Sequence, residues 1–198
     1  MPPFTVLHVC MGNICRSPMA ERLLVAAARD VAGPAADDEL LAHGAGTGGW
    51  HAGDPMDRSA AKQVLARGGD VDGFRARQLR GDHIDASDLI LTATAEQVEF
   101  VLSLRPDAAA RTFVLGEFGR LLASIDVPVR PDLSVYDRGV ALVEAVDEAR
   151  GGKPAEPGDN LDDPWGRSDR VFARIADEIE STTKPVAAAL FTDTTPGK

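Results

Sequence analysis

The reading of this chain turns on Val9-Cys10-Met11-Gly12-Asn13-Ile14-Cys15-Arg16-Ser17-Pro18. Before it, Phe4 to Val9 is an apolar run short enough for one buried strand. After it, Met19 to Ala28 is rich in helix formers. The ten residues therefore read as a strand end, a tight loop and a helix start. Ser17 is a good N-cap, and Pro18 suits the first helical position, where a missing N–H costs nothing. Loop amides and a helix N-terminus that converge on one spot make an anion site. Into that spot the sequence places a thiol, Cys10, and a guanidinium, Arg16, with five residues between them. Amide dipoles and a neighbouring cation favour a thiolate. A planar guanidinium grips two phosphate oxygens at once. Ser17 can add a hydrogen bond to the sulfur. The assembly reads as a nucleophile beneath a phosphoryl group. A Cys-x5-Arg pair alone is a weak signal. The strand before it, the Gly12-Asn13 within it and the Ser17-Pro18 after it give it weight.

At these residues the chain resembles the low-molecular-weight protein tyrosine phosphatases, whose loop reads Cys-x-Gly-Asn-x-Cys-Arg-Ser-Pro. Further matches are Ala45-Gly46-Thr47, Trp50-His51-Ala52-Gly53, Arg75-Ala76-Arg77-Gln78 and, far downstream, Asp163-Pro164-Trp165. The resemblance runs from about Phe4 to the helix after Trp165. It implies hydrolysis of phosphotyrosine, in a protein or as a small aryl phosphate, through a phosphocysteine and without cofactor or metal. In that scheme Cys10 attacks, Arg16 holds the phosphoryl oxygens and Asp163 is the proton donor. The loop residues Met11, Gly12, Asn13, Ile14, Cys15 and Ser17 bind substrate, and Trp50 and Trp165 are walls of its slot. Asp162 is an alternative acid, and the Pro164-Trp165 after Asp163 favours Asp163. Negative neighbours, Asp162 and the bound phosphate, favour a protonated carboxyl there, so a bell-shaped pH profile with an acid-side maximum is expected. The resemblance also implies that Cys15 can pair with Cys10 under oxidation.

The chain departs from the family pattern at several places. Gly44 and Phe74 stand where the family usually has Ser and often has His, side chains that help fix the loop asparagine. Fewer partners are thus expected for Asn13. Trp165 replaces a more usual Tyr, and Gly166 replaces a frequent second aromatic, which implies a more open slot.

Composition bounds the rest. At 198 residues and 44% hydrophobic, the chain can bury a core as one domain over 1–198, with a frayed tail from about 192. Its 21 basic and 31 acidic residues give a net charge of −10, which argues against nucleic acid and anionic membrane as partners. The two cysteines, Cys10 and Cys15, make no disulfide scaffold. No signal-peptide pattern opens the sequence, and no apolar run approaches the ~20 residues that span a bilayer. A reducing cytoplasm is the expected location.

Strands are expected at Phe4–Val9, Leu40 to about Ala45, Leu89–Thr92 and Thr112–Leu115. Gly44 to Gly49 is expected as loop, and Val127 to Pro131 as extended chain. Helices are expected from Pro18 to about Arg29, from Asp57 as N-cap to about Arg67, and over Ala95–Leu104. Three more are expected over Glu117–Ser124, Ser134–Arg150 and from Ser168 onward. The face Ala60, Ala61, Val64 and Leu65 should be buried. His8 reads as a hydrogen-bonded core histidine, His51 as a loop holder, and Arg75, Arg77 and Arg80 as a solvated face. Alternating strands and helices give an α/β fold with a parallel sheet and helices on both faces. The family resemblance sets its four strands in the order 2-1-3-4. The phosphate then sits at the carboxyl end of strand one. Two rivals remain open. One is an arsenate reductase that uses an external thiol, since no cysteine follows Cys15 to relay electrons. The other is a non-catalytic phosphotyrosine-binding module.

Overall fold

The computed structural model describes residues 2–127 and 130–192. Pro128 and Val129 of the expected extended run, and residues 193–198 of the expected tail, lie outside them. In chain order the elements are β1 (Phe4–Cys10), α1 (Arg16–Ala32), α2 (Ala36–Glu39), β2 (Leu40–Gly46), α3 (Arg58–Ala66), α4 (Gly81–Asp85), β3 (Leu89–Thr92), α5 (Ala95–Leu104), β4 (Thr112–Val114), α6 (Leu115–Ser124), α7 (Val135–Arg150) and α8 (Asp169–Phe191). The four strands form one parallel sheet in the order β2-β1-β3-β4.

β1 is the buried centre of the sheet, and its residues alternate between two cores. Phe4, Val6 and Cys10 face a large cluster with Leu23 and Leu24 of α1, Phe118 of α6, Val146 of α7 and Ile175 and Ile179 of α8. Leu7 and Val9 face a smaller one with Ile84 of α4, Ile90 of β3 and Val101 of α5. Register sets Cys10 opposite Gly46, and Val9 opposite Thr92, so three strand ends meet at one rim. The loop after β1 opens there.

Several local expectations are corrected. α1 starts at Arg16 with Cys15 as N-cap and no side-chain cap, so Ser17 is not the cap. Its hydroxyl is engaged with the loop instead. Gly44, Ala45 and Gly46 belong to β2, because β1 gives their backbone a pairing partner. Leu115 opens α6 rather than closing β4. In α3, Asp57 does cap the helix, accepting from the N–H groups of Ser59 and Ala60. The buried face, however, is Ala60, Gln63 and Val64, with Leu65 57% exposed. A Gln63 side chain buried beside Arg67, whose Nη1 donates to its Oε1, breaks the apolar pattern. The short helices α2 and α4 were too brief to carry a periodic signal.

His8 differs most from expectation. It is fully buried, and neither ring nitrogen has a hydrogen-bond partner among the described residues. Burial first, and then the nearby His43, lower its pKa to about 3. It is a neutral core residue, on the same face of β1 as Cys10.

Candidate active site

The loop from Cys10 to Arg16 is built around one residue of unusual backbone. Asn13 has φ +55°, the only non-glycine residue among the described ones in the left-handed region. That turn directs its own N–H to Cys10 Sγ at 3.3 Å. Its buried side chain then braces the loop from both ends. Nδ2 donates to Ser17 Oγ at 2.8 Å, and Oδ1 accepts the Arg77 N–H at 3.0 Å. Because the Asn13 amide donates to Ser17, the Ser17 hydroxyl hydrogen is left for Cys10 Sγ, 2.9 Å away. The Asn13 N–H and the Ser17 hydroxyl thus converge on the sulfur.

Asn13 therefore does not lack partners, contrary to expectation. A Cβ at Gly44 would stand 2.8 Å from Asn13 Nδ2 and 3.0 Å from Glu21 Oε2. The glycine gives these two groups their room. Glu21 is half-buried there, and the loss of solvent raises its carboxyl to about pKa 7 against the opposing pull of Arg22 and Arg77. Arg77 is not simply part of a solvated face. Its Nε donates to the Gly44 carbonyl at 2.8 Å, and Nη2 pairs with His43 Nδ1 at 2.6 Å. This clamps the segment that holds Asn13 onto β2.

Arg16 is buried at the start of α1. Its Nη1 donates to the Leu161 carbonyl at 3.1 Å, and Nη2 lies 3.1 Å from Asp163 Oδ2. Its Nε is buried with no partner among the described residues. A buried donor of that kind points to an anion outside the chain's own inventory. The first N–H groups of α1 carry no side-chain cap, and they add their dipoles at the same place.

Asp163 arrives from far along the sequence. Its segment is pinned by Leu161, whose N–H donates to the Ala93 carbonyl at 2.9 Å. Asn160 Oδ1 accepts the Ala95 N–H at 2.8 Å. Asp159 is buried, and both its oxygens accept from Arg120, at 2.9 and 2.8 Å. Those bonds hold the Asp159 carboxyl below the usual carboxylate range. Asp163 Oδ1 accepts the Trp165 N–H at 3.1 Å in a turn, and Oδ2 faces Arg16. Asp162 is paired with Arg174 at 2.7 Å, leaving Asp163 as the carboxylate on the cleft.

A cleft of about 250 Å³ joins these parts, lined by Cys10, Met11, Gly12, Ile14, Cys15, Arg16, Trp50, His51, Asp163 and Trp165. Of the expected substrate-binding residues, Met11, Gly12, Ile14, Cys15, Trp50 and Trp165 lie on it. Asn13 and Ser17 lie behind it, as supports of the sulfur. Trp50 and Trp165 are 66% and 65% exposed, so both stand at its mouth. A Cβ at Gly48 would come 1.8 Å from the Trp50 indole, so the glycine leaves the ring room to lie where it does. Cys15 is a buried free thiol on the same cleft, and burial raises its pKa. His51 does hold its loop, through Nδ1 to Asp54 Oδ2 at 2.8 Å, but it also lines the cleft. Leu161 and the Arg77 N–H act through main-chain atoms, which no residue type announces. Arg120 and Asp159 could be suspected only as opposite charges 39 residues apart.

The site is that of a phosphate-loop protein with a cysteine nucleophile. Comparison with known proteins narrows the class. The family model for low molecular weight phosphotyrosine protein phosphatases matches residues 5–149. The probable low molecular weight protein-tyrosine-phosphatase EpsP of Ralstonia solanacearum is 34% identical over 140 residues, covering 71% of this chain and 88% of its own. Low molecular weight protein-tyrosine phosphatase A of Mycobacterium tuberculosis is 33% identical over 147 residues, 72% of this chain and 86% of its own. Among solved structures, the low molecular weight protein tyrosine phosphatase of T. tengcongensis aligns with a TM-score of 0.65 at 23% identity, over 92% of this chain and 96% of that one. The YwlE arginine phosphatase of Geobacillus stearothermophilus aligns at 0.64 and 23%, over 93% and 91%. Those structures share the fold. The chain belongs to the low molecular weight phosphotyrosine protein phosphatase family. The family match ends at residue 149, before Asp163.

Proposed function

We propose that the protein hydrolyses phosphotyrosine by a two-step mechanism with Cys10 as nucleophile and Asp163 as proton carrier. The observation that carries this is the meeting of Asp163 with Arg16 on the cleft that holds Cys10. The phosphoryl group is held by the amides from Met11 to Ser17 and by Arg16, donors placed where charge gathers in the transition state. The Cys10 thiolate attacks phosphorus, the S–P bond forms and the P–O bond to the ring breaks. Asp163 gives its proton to the leaving phenolic oxygen. It then takes a proton from water, which attacks phosphorus and expels the Cys10 thiolate onto the Ser17 hydroxyl and the Asn13 N–H.

Asp163 is paired with Arg16. An arriving phosphate competes for that guanidinium, and its negative charge favours a proton on the carboxyl beside it. This supports a bell-shaped pH profile with its maximum on the acid side of neutral. Trp50, Trp165, Met11 and Ile14 supply the apolar walls that suit an aromatic ring. A cytoplasmic location belongs to the same reading, since the nucleophile must stay reduced. Among the described residues no helix is long and apolar enough to cross a membrane.

The test is hydrolysis of para-nitrophenyl phosphate without added metal, for the wild type, Cys10→Ser and Asp163→Ala. Wild-type turnover lost in Cys10→Ser and slowed in Asp163→Ala is the expected result. Arsenate turnover with added thiols but no ester hydrolysis would favour the reductase. Tight oxyanion binding with neither activity would favour a binding module.

A further inference from the structure

We propose that a small pocket beside the cleft is a subsite for a lysine or arginine next to the phosphotyrosine in a peptide substrate, with Glu96 reading its charge. The proposal rests on the phosphatase reading above. The pocket holds about 70 Å³ and is lined by Met11, Thr47, Glu96, Gln97 and Phe100. Met11 also lines the catalytic cleft, so one side chain is the wall between the two. Its carbonyl accepts the Gly48 N–H at 2.9 Å, while the residue is 43% exposed. Phe100 is also exposed. Because the two share Met11, the pocket adjoins the seat of the phosphotyrosine, and a neighbouring residue of an extended peptide, ~3.3 Å further per position, is the group it is placed to meet.

The chemistry of the lining selects the neighbour. Met11 and Phe100 offer apolar surface, and Glu96 a carboxylate at its edge. That is the complement of a lysine or arginine, whose methylene stem lies on apolar surface while its charged head reaches out. No cationic side chain lines the pocket. Glu96 also differs from the carboxylates around the main cleft. Asp54 is paired with His51, Asp162 with Arg174 and Asp163 with Arg16, while Asp57 caps α3. Glu96 is exposed in the first turn of α5 and has no ion-pair partner among the described residues. The net charge of −10 adds a long-range bias in the same direction.

The experiment measures kcat/KM on phosphotyrosine peptides carrying Lys, Ala or Glu at each of the two positions on either side. Wild type, Glu96→Gln and Glu96→Lys are compared, with para-nitrophenyl phosphate as a substrate too small to reach the pocket. The wild type should prefer Lys over Glu by about fivefold at one position, the scale of an exposed charge pair. Glu96→Gln should erase that preference and Glu96→Lys reverse it. All three should hydrolyse para-nitrophenyl phosphate alike, which also shows that the variants fold. A wild type indifferent to charge at all four positions would overturn the proposal, as would a preference that survives in both variants. Loss of para-nitrophenyl phosphate hydrolysis in the wild type would instead remove the phosphatase reading, and this subsite with it.

Discussion

The two halves of the active site are held in different ways. In the loop from Cys10 to Ser17 the sulfur is secured from within, by Asn13 and Ser17, while the loop's carbonyls at Cys10, Met11 and Ile14 accept the N–H groups of Thr47, Gly48 and Asp57, and Asn13 accepts the Arg77 N–H. The segment around Asp163 is held from outside, by Ala93, Ala95, Arg16 and Arg120. Asp163 itself is 48% exposed, whereas Cys10 and Asn13 are buried. The sulfur is thus secured by its neighbours in sequence, and the proposed proton carrier is placed by distant contacts. A phosphate cradle needs fixed dipoles. A group that must take up and give back protons to water needs access.

This contrast can be broken from either side. Cys10→Ser should lower turnover by at least about 10⁴-fold while phosphate still binds, because Arg16 and the amides remain. Loss of phosphate binding in that variant would show that the sulfur, rather than the amides, organises the loop. Asn13→Ala comes next. It leaves the buried Ser17 hydroxyl and Arg77 N–H short of a partner, and it puts alanine, which tolerates the left-handed region less well than asparagine, at φ +55°. Together these cost about 2–5 kcal/mol. Thermal melting should show the loss, and phosphate inhibition should weaken.

Arg120→Ala should act on the other half alone. Without its guanidinium, the buried Asp159 carboxylate loses both side-chain bonds, and the Asp163 segment shifts. A misplaced proton donor slows the chemical step, here by roughly tenfold. The phosphate inhibition constant should stay at its wild-type value, and a change there equal to that in kcat would mean the two halves are not separable.

The smallest effect on turnover is expected at His8, where stability rather than rate is read. Its folded pKa, about 3, lies well below the ordinary 6.5. As pH falls below 6.5 the unfolded chain takes up a proton that the folded chain refuses, so stability is lost progressively from pH 6.5 towards 3. In His8→Leu the fall in Tm between pH 7 and 5 should be shallower than in the wild type. Equal slopes would show that His8 does not contribute to acid sensitivity.

The same contrast explains what could be read in the sequence. The strand, loop and helix start around Cys10 are legible because their interactions are local and residue-specific. The parallel sheet follows from alternating elements, and its strand order from the family resemblance. Asp163 is legible through its motif, but what holds it is not: Leu161 contributes a carbonyl, and the Arg120–Asp159 pair spans 39 residues. Ser17 misled as a helix cap because capping and thiolate support call for the same hydroxyl. His8 misled because burial of an unpartnered imidazole runs against the usual rule for polar groups.

The central claim is that Asp163 protonates the leaving oxygen while Cys10 attacks. Its most direct test is kcat/KM for a series of aryl phosphates whose phenols span a wide range of acidity, in the wild type and in Asp163→Asn. The wild type should depend little on phenol acidity, because the carboxyl neutralises the departing oxygen. The variant should depend on it steeply, falling furthest for the least acidic phenols. Parallel lines of equal slope would contradict the assignment and place the proton donor elsewhere.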